Sequence, residues 1–347
     1  MERTKQKLST QIKQHSKKVI KEKAEYEGSE NVISTGSTLL DLAISGGRFR
    51  EGGIPFGILV EIFGPSSCGK TVMLCELAGR VQKQNGNILF HDPEARLNKQ
   101  FAKLFGLNME ETNYTTPNTI PEVFNQIREW EPDEKKSSAI FTDSLAALST
   151  DLEMENKEGD KMGMKRAKEF SVELRKTCRV LSAKNYLMVC SNQVRQNLDA
   201  GPYGQKYISP GGEAIGFYAS LRLRCSKPKP IKEKKTIAGK EVSRVIGVET
   251  EIEVFKSSVW KPYRRAPLTI LYDYGIDDIR QNLQFIKTYT NNKIYMIGEE
   301  KLNISLEKAI EEIEKQKLQK ELKEEVIKLW NEIEDKFKSE RKPKQNG

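Results

Sequence analysis

Eight consecutive residues, Gly64-Pro65-Ser66-Ser67-Cys68-Gly69-Lys70-Thr71, have types and spacing suited to holding a chain of phosphates. The glycines let the backbone N–H groups of Ser67 to Thr71 curl around an anion at the positive end of a helix. Lys70 brings a point charge to the β- and γ-phosphates, and the Thr71 hydroxyl can ligate Mg²⁺. The flanks agree, with apolar Leu59–Phe63 leading in as a strand and Val72–Lys83 leading out as a helix. A glycine-bearing turn is the bland alternative, and the Lys-Thr pair within these flanks argues against it. The expected ligand is ATP with Mg²⁺, and the expected chemistry is hydrolysis.

Hydrolysis needs carboxylates near that loop. Ala139-Ile140-Phe141-Thr142-Asp143 is an apolar run ending in an acid, which would hold Mg²⁺ directly or through water; by itself it could equally be a strand ending in a turn. Phe90-His91-Asp92-Pro93-Glu94 ends a second apolar run. A base that activates water should sit at the carboxyl end of a strand neighbouring the phosphate loop, and Glu94 suits that place. Asp92 is the alternative, and a helix-capping acid pair is the bland reading. A third strand end, Ser191-Asn192-Gln193, opens into the segment from Val194 to Pro210, with Arg195, Gln196, Asn197, Gly201, Tyr203, Gly204, Gln205, Lys206, Tyr207 and Ile208. That is too long and polar for a plain connection in a compact α/β unit. Cations, rings and glycines together suit a strand-binding loop, set against a surface loop with no ligand. A second loop, Glu153 to Gly163, includes Gly159, Met162 and Gly163 and leads to Lys165, Arg166 and Lys168. Two loops on the phosphate-facing edge would let the γ-phosphate control what they bind.

The elements that must position these groups follow from periodicity. Strands are expected at Leu59–Phe63, Asn87–His91, Ala139–Thr142 and Tyr186–Cys190. A crossover helix is expected over Met164–Lys184, where Ala167, Phe170, Leu174, Cys178 and Leu181 recur at helical spacing. Alternating strands and helices over 31–283 predict an α/β core with a mostly parallel central sheet. Residues 1–30 read as an N-terminal helical arm. Ser226–Lys240 reads as an exposed hairpin or loop between later strand-like runs. Residues 284–337 read as a small C-terminal α-rich subdomain, and 338–347 as a disordered basic tail.

The chain has 347 residues, 37% hydrophobic and 31% charged, with a net charge of +9 that favours a polyanionic partner, nucleic acid first. Five cysteines without CxxC spacing and two distant histidines, His15 and His91, argue against a zinc site or a disulfide framework. Met1–Lys23 carries basic residues throughout, so no signal peptide is expected. No apolar run reaches about 18 residues, so no membrane span is expected either. A reducing, cytoplasmic setting is the expectation.

The motif series resembles the RecA recombinases from about Ile33 to Gly275. It comprises Ile33-Ser34-Thr35-Gly36-Ser37 with Leu40-Asp41, the phosphate loop, Phe90–Glu94, Asp143-Ser144-Leu145-Ala146-Ala147-Leu148 and Glu158-Gly159-Asp160 with Met162-Gly163. It continues with Asn192-Gln193-Val194-Arg195, Gly211-Gly212 and Phe217-Tyr218-Ala219-Ser220, all in family order. The resemblance implies a RecA-type P-loop ATPase core acting in DNA recombination and repair. Such a protein forms a helical filament on single-stranded DNA and pairs it with homologous duplex, with single-strand-binding and mediator proteins as accessory partners. It implies Glu94 as catalytic base, Gln193 as γ-phosphate sensor, Lys70 as phosphate-binding lysine, Asp143 and Thr71 at Mg²⁺, and Asn98 and Phe101 at adenine. Met162, Gly163, Arg166, Ser171 and Arg175 would belong to or follow the first DNA loop. The second loop would span 194–212, with Arg195, Tyr203, Lys206, Tyr207, Ile208, Gly211 and Gly212. Lys256 would enter a neighbouring protomer's ATP site. The departures are Ser258 where the family has a second inserted lysine, with Lys261 three residues on as its candidate substitute, Asn98 for an acid, and Glu213 for an asparagine. The basic C-terminus departs as well, marking a divergent member of phage or mobile-element type. A ring-forming motor and a non-catalytic nucleotide sensor are the other uses of such a core. The lysine-based contact weighs against the first, and Lys70, Thr71, Glu94, Asp143 and Gln193 together against the second.

Overall fold

The computed structural model of the chain describes residues 32–150, 162–196, 207–208 and 214–340. Ten strands form its main sheet: β1 (Leu59–Gly64), β2 (Asn87–His91), β3 (Asn113–Thr115), β4 (Ser138–Thr142), β5 (Leu187–Gln193), β6 (Leu221–Cys225), β7 (Lys229–Ile237), β8 (Lys240–Ser257), β9 (Arg265–Leu271) and β10 (Gly275–Ile276). Their spatial order is β10-β9-β8-β6-β1-β5-β4-β2-β3, with β7 paired to β8. From β6 to β3 the strands run parallel, and from β7 to β10 they pair antiparallel. All six residues of β1 are buried. A parallel strand is covered on both faces, so its sequence runs apolar without alternation.

Helices cover both faces. On one lie α1 (Thr38–Ser45), α2 (Lys70–Lys83) and α3 (Lys99–Leu104). On the other lie α4 (Ile120–Glu129), α5 (Met162–Ala183) and α6 (Ala214–Tyr218). Helix α4 shows why the sequence folds this way: Thr119 caps it by accepting from the Glu122 N–H, and Ile120, Val123, Phe124 and Ile127 put one apolar stripe on the sheet. The chain ends in α7 (Asp278–Thr290), α8 (Leu306–Gln316) and α9 (Gln319–Lys336).

The expected strands appear, with one instructive difference. The run read as Tyr186–Cys190 is β5, which continues to Gln193 because it pairs in parallel with β1 as far as Gly64 opposite Gln193. The expected helix over Met164–Lys184 is α5, starting two residues earlier. Ser226–Lys240 is part of a long hairpin whose two-residue turn, Ala238-Gly239, has positive φ at both positions (49° and 77°), the geometry whose twist suits a hairpin. The expected core boundary at residue 283 falls inside α7. That helix is bonded to α1 through Ser37 Oγ to Gln281 Oε1 (2.9 Å) and Thr38 N–H to Asp278 Oδ1 (2.6 Å). Ala309, Ile313, Leu322, Val326 and Ile327 of α8 and α9 join the same apolar cluster as α1 and α2, and Arg50–Glu324 and Arg264–Glu334 ion pairs tie α9 down. The arm expected over 1–30, residues 151–161 of the first loop, 197–206 and 209–213 of the second, and the tail from 341 lie outside the described residues.

Candidate nucleotide site and strand-end loops

The parallel register brings separate sequence runs to one edge. Gly64 stands beside Gln193, Thr142 beside Cys190, and His91 beside Thr142. The phosphate loop, Asp143, the Asp92–Glu94 run and Gln193 therefore leave the same carboxyl edge, where open α/β sheets bind ligands. The loop turns sharply, with Ser67 at φ 61° and Gly69 at φ 92°. A Cβ at Gly69 would meet Ile270 Cδ1 at 2.2 Å, so only glycine fits there. Helix α2 begins at Lys70, directing its free N–H groups into the loop.

Lys70 is buried, and its Nζ donates to the carbonyls of Gly64 (3.3 Å) and Pro65 (2.7 Å), with Cys68 Sγ at 3.7 Å. Thr71 Oγ1 donates to Asp143 Oδ2 (2.7 Å), so the two expected metal ligands meet. Asp143 is fixed further by Ser191, whose hydroxyl donates to Oδ1 (2.5 Å) and accepts from the Ser144 N–H (2.7 Å). Ser191 was visible in the sequence only as part of a strand end. The Asp143 N–H donates to the His91 carbonyl (2.9 Å), joining β4 to β2. His91 is fully buried and its burial pulls its pKa down to about 4. These groups fit a Mg²⁺-nucleotide: a buried cation, a helix N-terminus, and a hydroxyl beside a carboxylate.

The two acids of the Asp92–Glu94 run separate clearly. Asp92 is buried, with Oδ2 accepting from the Leu97 N–H (2.8 Å) and the Tyr114 hydroxyl (2.9 Å), so it braces the loop. Glu94 is partly exposed and pairs with the exposed Arg96 at 3.1 Å. Its strand is not the neighbour of β1 that sequence reasoning expected. β5 and β4 intervene, and the strand flanking β1 on this side is β5, with Gln193. Asn98 caps α3 by accepting from the Phe101 N–H (2.7 Å), and the Phe101 ring meets Phe105 edge-on at 4.7 Å. The turn that follows α3 comes close to α2 at Gly79, where a Cβ would come within 2.3 Å of the Gly106 carbonyl.

A model of the RecA N-terminal domain matches residues 3–277. The chain belongs to the RecA family. It is 36% identical over 248 residues to protein RecA of Anaplasma marginale (strain Florida), covering 71% of this chain and 65% of that protein. It is 32% identical over 289 residues to protein RecA of Borrelia hermsii (strain HS1 / DAH), covering 82% and 78%. Protein RecA of Ehrlichia chaffeensis (strain ATCC CRL-10679 / Arkansas) is 34% identical over 71% of this chain and 65% of its own length. The chain thus spans just under two thirds of the Anaplasma and Ehrlichia relatives.

Within this RecA core the expected DNA-loop residues fall into distinct settings. Met162 and Gly163 open α5. Arg166 donates to the Ala146 carbonyl (2.6 Å) and lies over the Phe170 ring, holding the turn after Asp143. Ser171 is half-buried, whereas Arg175 is exposed, as are Lys165 and Lys168. Arg195–Gln196 pairs antiparallel with Tyr207–Ile208, so the second loop is pinched at its base two residues after Gln193. Tyr203, Lys206, Gly211 and Gly212 lie outside the described residues. Lys256 Nζ donates to the Gly216 (2.9 Å) and Phe217 (2.8 Å) carbonyls at the end of α6, within its own protomer. Ser258 is exposed, and Lys261 lies over the Trp260 ring.

Sequence reasoning also missed the partner of Glu61. Glu61, fully buried in β1, accepts from Asn192 Nδ2 (3.0 Å) and from Arg222 Nε (2.6 Å). The Arg222 guanidinium is 4.5 Å from the Phe63 ring centre, and a Cβ at Gly216 would come within 2.8 Å of it. The signal was present: an acid inside Leu59-Val60-Glu61-Ile62-Phe63 needs a buried partner.

Proposed function

We propose that this chain is an ATP-dependent recombinase that assembles as a helical filament on single-stranded DNA, pairs it with homologous duplex and turns over by hydrolysing ATP. The supporting observation is the convergence of Lys70, the Thr71–Asp143 pair, the Glu94 loop and Gln193 on one edge, with a loop pinched shut immediately after Gln193.

Bound Mg²⁺-ATP supplies the phosphoanhydride to be cleaved and a cation that offsets its charge. Lys70, which now donates to loop carbonyls, would hold β- and γ-phosphate oxygens, and Thr71 and Asp143 would hold Mg²⁺, Ser191 keeping Asp143 aimed. Glu94 accepts a proton from the attacking water, and Arg96 holds it until substrate arrives. Phe101 offers a ring for adenine, while Asn98 fixes the helix that carries it. Gln193 would report the γ-phosphate to the pinched loop, where Arg195, Tyr203, Lys206, Tyr207, Ile208, Gly211 and Gly212 meet DNA together with Met162, Gly163, Arg166, Ser171 and Arg175 at the end of the first loop and along the helix that follows it. Lys256 completes the ATP site of the next protomer, leaving its α6 carbonyls to do so. In this reading the working compartment is the cytoplasm, the setting expected from the sequence. No helix among the described residues is long and apolar enough to cross a membrane. The test is ATP turnover with and without single-stranded DNA. A clear rise with DNA, lost in Glu94→Gln, is expected; turnover indifferent to DNA would refute the reading.

A further inference from the structure

The long hairpin of β7 and β8 takes no part in the nucleotide site, yet it leaves the sheet at the same edge. Strand β6 runs parallel to β1 and ends at Cys225, level with Gly64 of the phosphate loop. Cys225 pairs with Ile252 of β8, which runs the other way, so the part of β8 before Ile252 lies beyond the carboxyl edge of the parallel strands. Lys240, where β8 begins, stands twelve residues before Ile252, about 40 Å along the strand. Strand β9 accompanies β8 as far as Gly247, with the Tyr272 N–H donating to the Ile246 carbonyl (2.9 Å). Past that point 232–237 and 240–245 form a two-stranded ribbon that pairs with no other strand among the described residues.

Packing does not account for this ribbon. Residues 232–241 are all exposed, Ile237 at its tip included, and a hairpin that buries so little gains almost nothing from folding. Its charge is the distinctive feature. Residues 232–245 carry five cations, Lys232, Lys234, Lys235, Lys240 and Arg244, against two acids. The acids are already engaged, Glu241 with Lys234 (2.9 Å) and Glu233 with Lys235 (3.3 Å). Among the described residues no acid pairs with Lys232, Lys240 or Arg244, the last donating to the Ser243 carbonyl (3.1 Å). Strand alternation and the register put Lys232 on one face of the ribbon and Lys240 and Arg244 on the other.

We propose that the ribbon of residues 232–245 is a docking surface for duplex DNA, entering the major groove and meeting phosphates of its walls with Lys232, Lys240 and Arg244. The major groove of B-form DNA is about 12 Å wide and admits a two-stranded ribbon. Long cationic side chains on both faces reach phosphates whichever face turns to the bases, and phosphate contacts carry no sequence preference. The repulsion among these cations is relieved when phosphates lie between them. A protein partner fits less well, because protein interfaces are enriched in aromatic residues and depleted in lysine, and the ribbon has no aromatic residue. Duplex RNA is excluded by its deep, narrow major groove. The choice of a duplex as occupant rests on the recombinase reading, in which a duplex must be brought to a strand held at the same edge.

The full chain and a Lys232→Gln/Lys240→Gln/Arg244→Gln variant would be titrated against a labelled DNA duplex of mixed sequence, a single strand of the same length and a duplex RNA, with anisotropy read over a range of salt. The variant should lose roughly tenfold or more in duplex-DNA affinity, and its slope of log affinity on log salt should flatten by about 2 to 3 units, close to one per phosphate contact removed. Single-strand affinity, which belongs to the strand-end loops, should fall by no more than about threefold. Duplex RNA should bind the parent chain at least about tenfold more weakly than duplex DNA. A Lys232→Arg/Lys240→Arg variant should bind as the parent does, and unchanged urea midpoints would show that every variant is folded. An unchanged duplex affinity or salt slope would overturn the proposal. So would an equal loss for single strand and duplex, or duplex RNA bound as tightly as duplex DNA, since neither result needs a groove. Polyglutamate that displaces the duplex as well as unlabelled duplex does would overturn it too, reducing the ribbon to a sink for any polyanion. The binding readout needs no ATP turnover. Ribbon-dependent duplex affinity in a chain that never hydrolyses ATP would retain the surface and sink the recombinase reading alone; filaments on single strands, with duplex affinity indifferent to the substitutions, would do the reverse.

Discussion

The two halves of the main sheet share one hydrogen-bonded ladder but use it differently. In the parallel half, β1, β5, β4 and β2 all point one way, so their ends deliver Gly64–Thr71, Gln193, Asp143 and Glu94 to one edge. In the antiparallel half, successive strands reverse, and their ends disperse. The long β7–β8 hairpin carries Lys229, Lys232, Lys234, Lys235, Lys240 and Arg244, all exposed and spread along its two strands. The antiparallel half instead contributes support from its border: Arg222 of β6 neutralises Glu61 inside β1, and Lys256 of β8 holds the end of α6. Parallel strands gather chemistry, and the reversed ones hold it in place.

Substitutions can break that contrast, starting with the largest effect. Lys70→Ala should lower ATP turnover on the order of a thousandfold or more, because a buried charge stabilising the transferred phosphoryl group is lost. Steady-state ATPase assays would show it, and they should also show nucleotide-dependent DNA binding gone. At the border, Arg222→Met leaves Glu61 buried without its cation, which should cost about 3–5 kcal/mol in chemical denaturation. A loss within 1 kcal/mol would mean that the border carries no such duty. Glu94→Gln should reduce turnover by about a hundredfold or more while filaments still assemble.

The fold was legible where local pattern decides it. The phosphate loop sits in a short continuous run, and the apolar runs of β1, β2 and β4 were marked by composition alone. Strand order was not legible. Periodicity states that Asn87–His91 is a strand, but its separation from β1 by β5 and β4 arises from crossover packing on both faces. Partners far apart in sequence were hidden for the same reason: Glu61 with Arg222, and Asp143 with Ser191. That Asp92, and not Glu94, accepts from Tyr114 and the Leu97 N–H was equally out of reach of the sequence.

Smaller effects sharpen the contrast. His91 has its folded pKa depressed to about 4 by burial, so protonation favours the unfolded chain and stability falls as pH drops from 6.5 toward 4. Asp41, raised to about 6 by burial, slopes the opposite way, its contribution being lost as pH rises through 6. His91→Phe should therefore gain about 2 kcal/mol relative to the parent chain between pH 7 and pH 5, read from urea midpoints. Least affected should be Lys232→Gln with Lys240→Gln, which should alter folding stability by no more than about 0.5 kcal/mol. A larger loss would show that the hairpin does more than extend the sheet.

The central claim is that the gathered edge drives assembly on DNA. Electron microscopy of the protein with single-stranded DNA and a slowly hydrolysed ATP analogue tests it most directly. Continuous helical filaments that require both ligands and vanish in Lys70→Ala are expected; closed rings, or dispersed particles under the same conditions, would contradict the account.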